Sequence, residues 1–261
     1  MAVRLSLFIP LLTLCLALSS LAQTKELQLI DPDALAKAAV LDSKAIDTSE
    51  PKLKGNFIKN VGHDNKEILL SPFHIKRADL KWLVPLAAAT TSLLLTDRYT
   101  SSWVSQNGTL AEASHVTGHF GSMYTTAALA TGMYFIGRST DAPRLEETGE
   151  LSFEALLDTG LVIGVLKHTL GRKKPNDILV GGRFFDGGRS FPSGHSSNAW
   201  ALATVVAYQY KDRPIIKYGA LLAALAISMS RYTGRAHFMS EVLAGSAIGI
   251  GTGYFVYQNH H

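Results

Sequence analysis

From Leu80 onward the chain repeats one theme, an apolar segment of helical length followed by a loop carrying Gly, Pro and charge. The segments cover 80–96, 116–137, 151–170, 196–210, 215–230 and 241–257 and are rich in Leu, Ala, Val and Ile. No strand-like alternation competes with them and no internal repeat is visible, so the pattern predicts an all-α bundle of about six helices. Charged residues make up 18% of the chain, below the roughly 25% of an ordinary soluble domain, which favours a membrane-embedded bundle. A span needs roughly 20 apolar residues, and several segments fall short of that. Segment 215–230 and the last segment, with Gly245, Gly249, Gly251 and Gly253, look membrane-like because small residues let helices approach in lipid. Asp158 and the short fourth segment point the other way.

The chain has 261 residues, room for one good core. The expected organisation is an export signal over 1–22, an exported, largely irregular extension over 23–79 and a helical domain over 80–258. Arg4 precedes an apolar run from Leu5 to Leu18, and Ser20-Leu21-Ala22 offers small residues before Gln23, as a signal peptidase requires. Cys15 is the single cysteine. Lying inside the signal, it leaves the mature chain without a disulfide or a thiol nucleophile. Pro32, Pro51, Gly55 and Gly62 break up the extension, where His63 and His74 read as exposed loop histidines. The net charge of +4 suits an anionic substrate or a membrane surface and decides little alone. No nucleic-acid partner is expected.

Three short stretches carry the chemistry. Lys167 closes the third segment and is followed by Gly171-Arg172-Lys173-Lys174-Pro175, so cations crowd a helix end that proline terminates. Taken alone, this run reads as a solvated basic loop or a positive membrane flank. Pro192-Ser193-Gly194-His195 opens the fourth segment, where backbone N–H groups, a hydroxyl and the helix dipole favour an anion. Its simpler reading is an ordinary cap with an incidental histidine. Ser230-Arg231 ends the fifth segment, and His237 and Glu241 stand four apart at the start of the sixth. On one helical face, Glu241 can accept one ring N–H and leave the other nitrogen free to attack, although a surface ion pair has the same spacing. His115 and His119, beside Gly118 and Gly121, read as packed or hydrogen-bonded histidines, and Asp97-Arg98 as a cap of the first segment.

Together, Lys167 with Lys174-Pro175, Pro192–His195, and Arg231 with His237 and Glu241 resemble the signature of the type 2 phosphatidic acid phosphatase and vanadium haloperoxidase superfamily, in its bacterial acid phosphatase-like form. The resemblance covers about residues 80–258. It implies a metal-free phosphomonoesterase, without cofactor, that works through a phosphohistidine. By carry-over, His237 is the nucleophile, Glu241 orients it, and His195 protonates the departing oxygen. Lys167, Lys174, Ser193, Gly194 and Arg231 bind the phosphoryl oxygens, with Arg172 as an auxiliary. Fixed cations and N–H donors suit a transition state whose charge spreads over three equatorial oxygens. Two positions depart from the family pattern. Lys174 replaces Arg, keeping charge but losing the planar fork, and Glu241 replaces Asp, one methylene longer.

The resemblance implies a lipid phosphate substrate, such as phosphatidic acid or a polyprenyl diphosphate, and a cell-envelope protein in the inner membrane with an exported N-terminal part. A soluble periplasmic acid phosphatase of broad specificity is the alternative. A vanadate-dependent haloperoxidase and a non-catalytic membrane protein stand behind these. Topology carries a tension: with Gln23 outside, six full spans would place Lys167, Arg231 and His237 on the cytoplasmic side, opposite to the family's usual face.

Overall fold

The computed structural model describes residues 79–103, 108–175 and 182–261. The expectations for 1–22 and 23–78, including Cys15, His63 and His74, lie outside the described residues. Seven helices are described: α1 Leu80–Trp103, α2 Gly108–His119, α3 Met123–Ser139, α4 Pro143–Leu170, α5 Gly194–Gln209, α6 Pro214–Thr233 and α7 Met239–His260. The architecture is all-α, and no strand occurs among the described residues. The count exceeds the expected six because α2, Gly108–His119, lies mostly ahead of the expected segment 116–137, the rest of which is α3. Phe120-Gly121-Ser122 separates the two, and Ser122 caps α3 by accepting from Thr125 N at 3.2 Å.

Local chemistry fixes the other ends. Pro143 opens α4, where its missing N–H costs no helical bond. Gly171 closes α4 in the left-handed region at φ 51°, its N–H bonded to Lys167 O, a conformation that suits glycine. Pro214 opens α6 in the same way as Pro143.

Helix α5 is central and packs against α4, α6 and α7. One core cluster joins Leu151 and Ala155 of α4, Ala201 and Val205 of α5, and Val256 and Tyr257 of α7. A second joins Ala199 and Ala203 of α5 to Ala224 of α6, flanked by Trp200 and Ile227. Trp200 Nε1 donates to Ser228 Oγ at 3.0 Å, satisfying the indole between α5 and α6. Thr159 and Thr252 share a 2.6 Å hydrogen bond between α4 and α7.

Backbones of α5 and α7 meet through glycine. A Cβ on Gly245, Gly249 or Gly253 would stand 2.4, 2.1 and 2.6 Å from the carbonyl oxygens of Ser193, Ser197 and Ala201 respectively. These positions repeat every four residues, so they form one face of α7. Gly251, on another face, has open space around it. The glycine pattern thus serves close helix–helix approach at three of its four positions.

Among the described residues no helix is long and apolar enough to cross a membrane. Large apolar side chains nevertheless point outward on several helices, including Leu95, Tyr124, Phe135, Ile215, Tyr218 and Leu222. Ile215, Tyr218 and Leu222 recur at i, i+3 and i+7 and so share one face of α6, and a contiguous exposed apolar face marks contact with an apolar phase or partner.

Gly249→Ala should force α5 and α7 apart and destabilise the fold by about 1–3 kcal/mol, as overpacked cores do. Gly251→Ala should leave stability equal or slightly higher, because alanine is the better helix former and meets no neighbour. Thermal unfolding of the two variants side by side checks this.

Candidate active site

All three motif stretches converge at one end of the bundle. The last turn of α4 brings Lys167, the last turn of α6 brings Arg231 with His237 in the turn that follows, and the α5 start brings Ser193–His195. Ser193 N donates to Glu241 O at 3.0 Å, which ties the start of α5 directly to the first turn of α7. The α4–α5 loop folds back on itself through Lys173 N to Arg183 O at 2.9 Å and Ser190 N to Arg172 O at 2.9 Å.

Glu241 is fully buried and lies at the third position of α7. Its Oε2 accepts from His237 Nδ1 at 2.7 Å, Ser190 Oγ at 2.6 Å and Phe238 N at 3.2 Å. With the ring proton held at Nδ1, His237 Nε2 keeps its lone pair. His237 is only 6% exposed. Burial pushes its proton affinity below the ordinary value, opposed by Glu241 and reinforced by Lys167 and Arg231. The ring is therefore neutral near pH 7, the form a nucleophile needs.

His195 follows Ser193 and Gly194 at the α5 start. Burial, with Arg231, His237, Lys167 and His119 nearby, pushes it down to about 4. In the empty site it too is neutral. Negative charge placed among those cations would oppose them and raise the affinity of His195 for a proton. Lys167 is pushed down to about 8, mainly by burial; Glu241 opposes the shift, and Lys174 and Arg189 add to it. Its Nζ donates to Arg189 O at 2.6 Å. Gly194 lies alongside: a Cβ there would be 3.9 Å from Lys167 Cε. Lys174 is exposed at the rim. Arg231 is half-buried, and burial lowers its proton affinity without threatening its charge.

Ser193 is fully buried and is the N-cap of α5. Its Oγ accepts from Ser196 Oγ at 3.1 Å, leaving its own proton uncommitted by that bond. Arg172 stands apart from the other cations. At 2% exposure it lies behind Glu241, with Nη2 donating to Asp97 Oδ2 at 2.8 Å, Nη1 to Ser240 Oγ at 2.9 Å and Nε to Gly182 O at 3.2 Å. The structure does not bring it alongside Lys167 as an auxiliary phosphate ligand.

Asp97 is not a helix cap. It lies inside α1, fully buried, and accepts from Arg172 and from Ser240 N at 3.2 Å. No local pattern announces this, because the partner is 75 residues away. Ser190 was also missed, although its place two residues before Pro192 offered a signal. The stretch Gly118–Gly121 forms a further wall. A Cβ on Gly118 would be 2.2 Å from Arg231 Nη1, and one on Gly121 would be 2.8 Å from His195 O. His119 bonds back to His115 O at 2.7 Å, as a hydrogen-bonded histidine, yet lies close enough to act on His195.

Comparison with known proteins places this arrangement. Residues 151–261 match the family model described as the PAP2 superfamily. Lipid A 1-phosphatase from Rhizobium etli is 32% identical over 108 residues, covering 39% of this chain and 45% of that protein. A PA-phosphatase related-family protein from Dictyostelium discoideum is 34% identical over 126 residues, covering 40% of this chain and 45% of its own. The chain thus spans less than half the length of these curated relatives. Among solved structures, the transmembrane PAP2-type phosphatidylglycerolphosphate phosphatase from Bacillus subtilis superposes with a TM-score of 0.50 at 24% identity, covering 67% of this chain and 94% of that one. Aquifex aeolicus LpxE gives 0.50 at 23%, with 63% and 94% covered. Both share the fold. Every motif residue from Lys167 to Glu241 lies inside the matched region, whereas Asp97 and Gly118 lie outside it.

Gly118→Ala should push the Arg231 guanidinium aside without harming the helix, alanine being favoured there. Losing one charge-assisted contact of about 1.5–3 kcal/mol should weaken inorganic phosphate binding roughly tenfold or more while the melting temperature holds. Titration calorimetry with phosphate, beside thermal unfolding, checks both halves.

Proposed function

Because residues 151–261 match the PAP2 superfamily model, we propose that the protein is a phosphatase that hydrolyses lipid phosphate monoesters through a phosphohistidine. The observation that carries this is the buried His237 Nδ1 to Glu241 bond of 2.7 Å, which leaves Nε2 free among Lys167, Arg231 and His195. The lone pair of Nε2 attacks phosphorus, the bond from phosphorus to the ester oxygen breaks, and His195 gives that oxygen its proton. Water then attacks the phosphoryl group and His195 takes its proton. The phosphorus–nitrogen bond breaks, which releases inorganic phosphate and restores neutral His237. Lys167, Lys174, Arg231, Ser193 and the Gly194 N–H hold the equatorial oxygens, so the pocket supplies its countercharge from side chains and needs no metal.

The outward apolar residues of α1, α3 and α6 support a lipid substrate presented at a membrane of the cell envelope. Lipid A and phosphatidylglycerol phosphate, the substrates named for the relatives, define the class, with phosphatidic acid and polyprenyl diphosphates beside them. Export through the 1–22 signal, with the 23–79 extension following it outside, belongs to the same reading. A second reading, a soluble periplasmic acid phosphatase of broad specificity, is favoured by the absence of a membrane-crossing helix among the described residues. Rates on lipid phosphates in mixed micelles, set against rates on water-soluble monoesters, separate the two. Fractionation of the mature protein does so independently.

Phosphate release should proceed in the presence of a chelator and fall by about 10³-fold or more in His237→Ala. A wild-type rate in that variant would sink the phosphohistidine reading. The pH profile follows from Lys167, displaced from its usual 10.5 to about 8. Its cation is present below that pH and lost above it, so kcat/KM should fall on the alkaline side near pH 8. Lys167→Arg, which keeps its charge, should carry that limb upward by more than one pH unit.

A further inference from the structure

A chain of buried charges runs away from the pocket. His237 Nδ1 contacts Glu241 Oε2 at 2.7 Å, Glu241 Oε1 lies 3.2 Å from Arg172 Nη1, and Arg172 Nη2 lies 2.8 Å from Asp97 Oδ2. The side chains of Glu241 and Asp97 are fully buried and that of Arg172 is 3% exposed. Ser240 closes the far end by bonding both Arg172 and Asp97. The guanidinium is flanked by two aromatic rings, Phe238 at 4.4 Å and Phe184 at 4.8 Å. Each nitrogen of the fork thus has a hydrogen-bond partner within the protein.

We propose that Arg172, held from behind by Asp97, is a positioning residue that sets the orientation and basicity of His237 through Glu241, rather than a phosphate ligand. Glu241 Oε2 is already shared by His237, Ser190 and Phe238 N. Oε1 has no aligned hydrogen-bond donor and relies on the Arg172 charge beside it. Without that cation the whole negative charge of Glu241 would act on the imidazole and make His237 a stronger base, and Oε1 would lose the charge that fixes its direction. Asp97 limits the pull in the opposite direction. Without it, the full guanidinium charge would draw on Glu241 and make His237 a weaker base. The two carboxylates and one guanidinium leave a net negative charge behind the imidazole, which balances the cations in front of it.

The groups that act on His237 are Glu241 on α7, Lys167 on α4, His195 on α5 and Arg231 on α6, with Arg172 and Asp97 one step behind. The test alters only the last two. Proton NMR titration of the full chain in detergent follows the His237 imidazole, identified by its loss in His237→Gln. Asp97→Asn, nearly isosteric, should lower its midpoint, and Arg172→Gln should raise it, each by about one pH unit. Affinity for inorganic phosphate should stay within about threefold in both variants. Midpoints that stay put or move the same way would overturn the proposal, as would a tenfold loss of phosphate affinity in Arg172→Gln. If Arg172→Gln does not fold, the downward shift in Asp97→Asn decides alone. The proposal rests on the phosphatase reading only for its purpose. Opposite shifts in a protein that releases no phosphate from any ester would refute that reading and leave this one standing. Turnover with unmoved midpoints would do the reverse.

Discussion

The site exists because α5 and α7 touch backbone to backbone. Gly245, Gly249 and Gly253 present no side chain toward Ser193, Ser197 and Ala201, so the first turns of both helices arrive within one hydrogen bond of each other. That bond, Ser193 N to Glu241 O at 3.0 Å, fixes the Pro-Ser-Gly-His turn against the His237–Glu241 pair. A wider separation would still give a bundle, yet it would place the two histidines on different walls. The small core residues Ala155, Ala199, Ala201 and Ala203 serve the same end. They trade apolar area for proximity, and the polar threonines Thr159 and Thr252 recover part of the loss by bonding across the gap.

Proximity creates an electrostatic problem that the arrangement then uses. Lys167, Arg231 and His195 are gathered half-buried around the buried His237, and burial disfavours charge on every titratable member. The histidines respond by shedding protons, and Lys167 is brought close to doing so. An empty pocket is thus poised to welcome negative charge. Negative charge placed there would relieve the crowding, strengthen the hold of Lys167 on its proton and raise that of His195. In the proposed reaction, binding and activation of the acid are therefore one event, because the same cations drive both.

The fold was largely legible in the apolar segments, since helix length, proline starts and glycine ends leave local marks. Pro214 and Gly171 are such marks, whereas Pro143 opens α4 eight residues ahead of the expected segment 151–170, because its first two turns carry the charged Arg144, Glu146, Glu147 and Glu150 rather than an apolar run. The break at Gly121 was not legible because Ser122 can cap a helix only where the chain has already turned. The histidines and Glu241 could be listed from spacing, as four residues apart on a helix is a local relation. Asp97 could not, because nothing in its neighbourhood distinguishes a helix cap from a buried partner of an arginine 75 residues on. Gly118 and Gly121 likewise gain meaning only from Arg231 and His195, which approach them from other helices.

The two departures from the resembled family's pattern, Lys174 and Glu241, become one arrangement when placed in space. A planar fork needs a rigid frame to grip two oxygens, and the rigid frame in this loop belongs to Arg172, fixed by Asp97, Ser240, Gly182 and two rings. The fork is therefore used behind the catalytic carboxylate, while the exposed Lys174 provides only a mobile point charge at the rim. The extra methylene of Glu241 fits the same division. Its longer arm lets one oxygen serve His237 and Ser190 while the other reaches the guanidinium. Shortening it would draw the carboxylate away from one partner or the other, so the glutamate and the buried arginine are best understood as a matched pair.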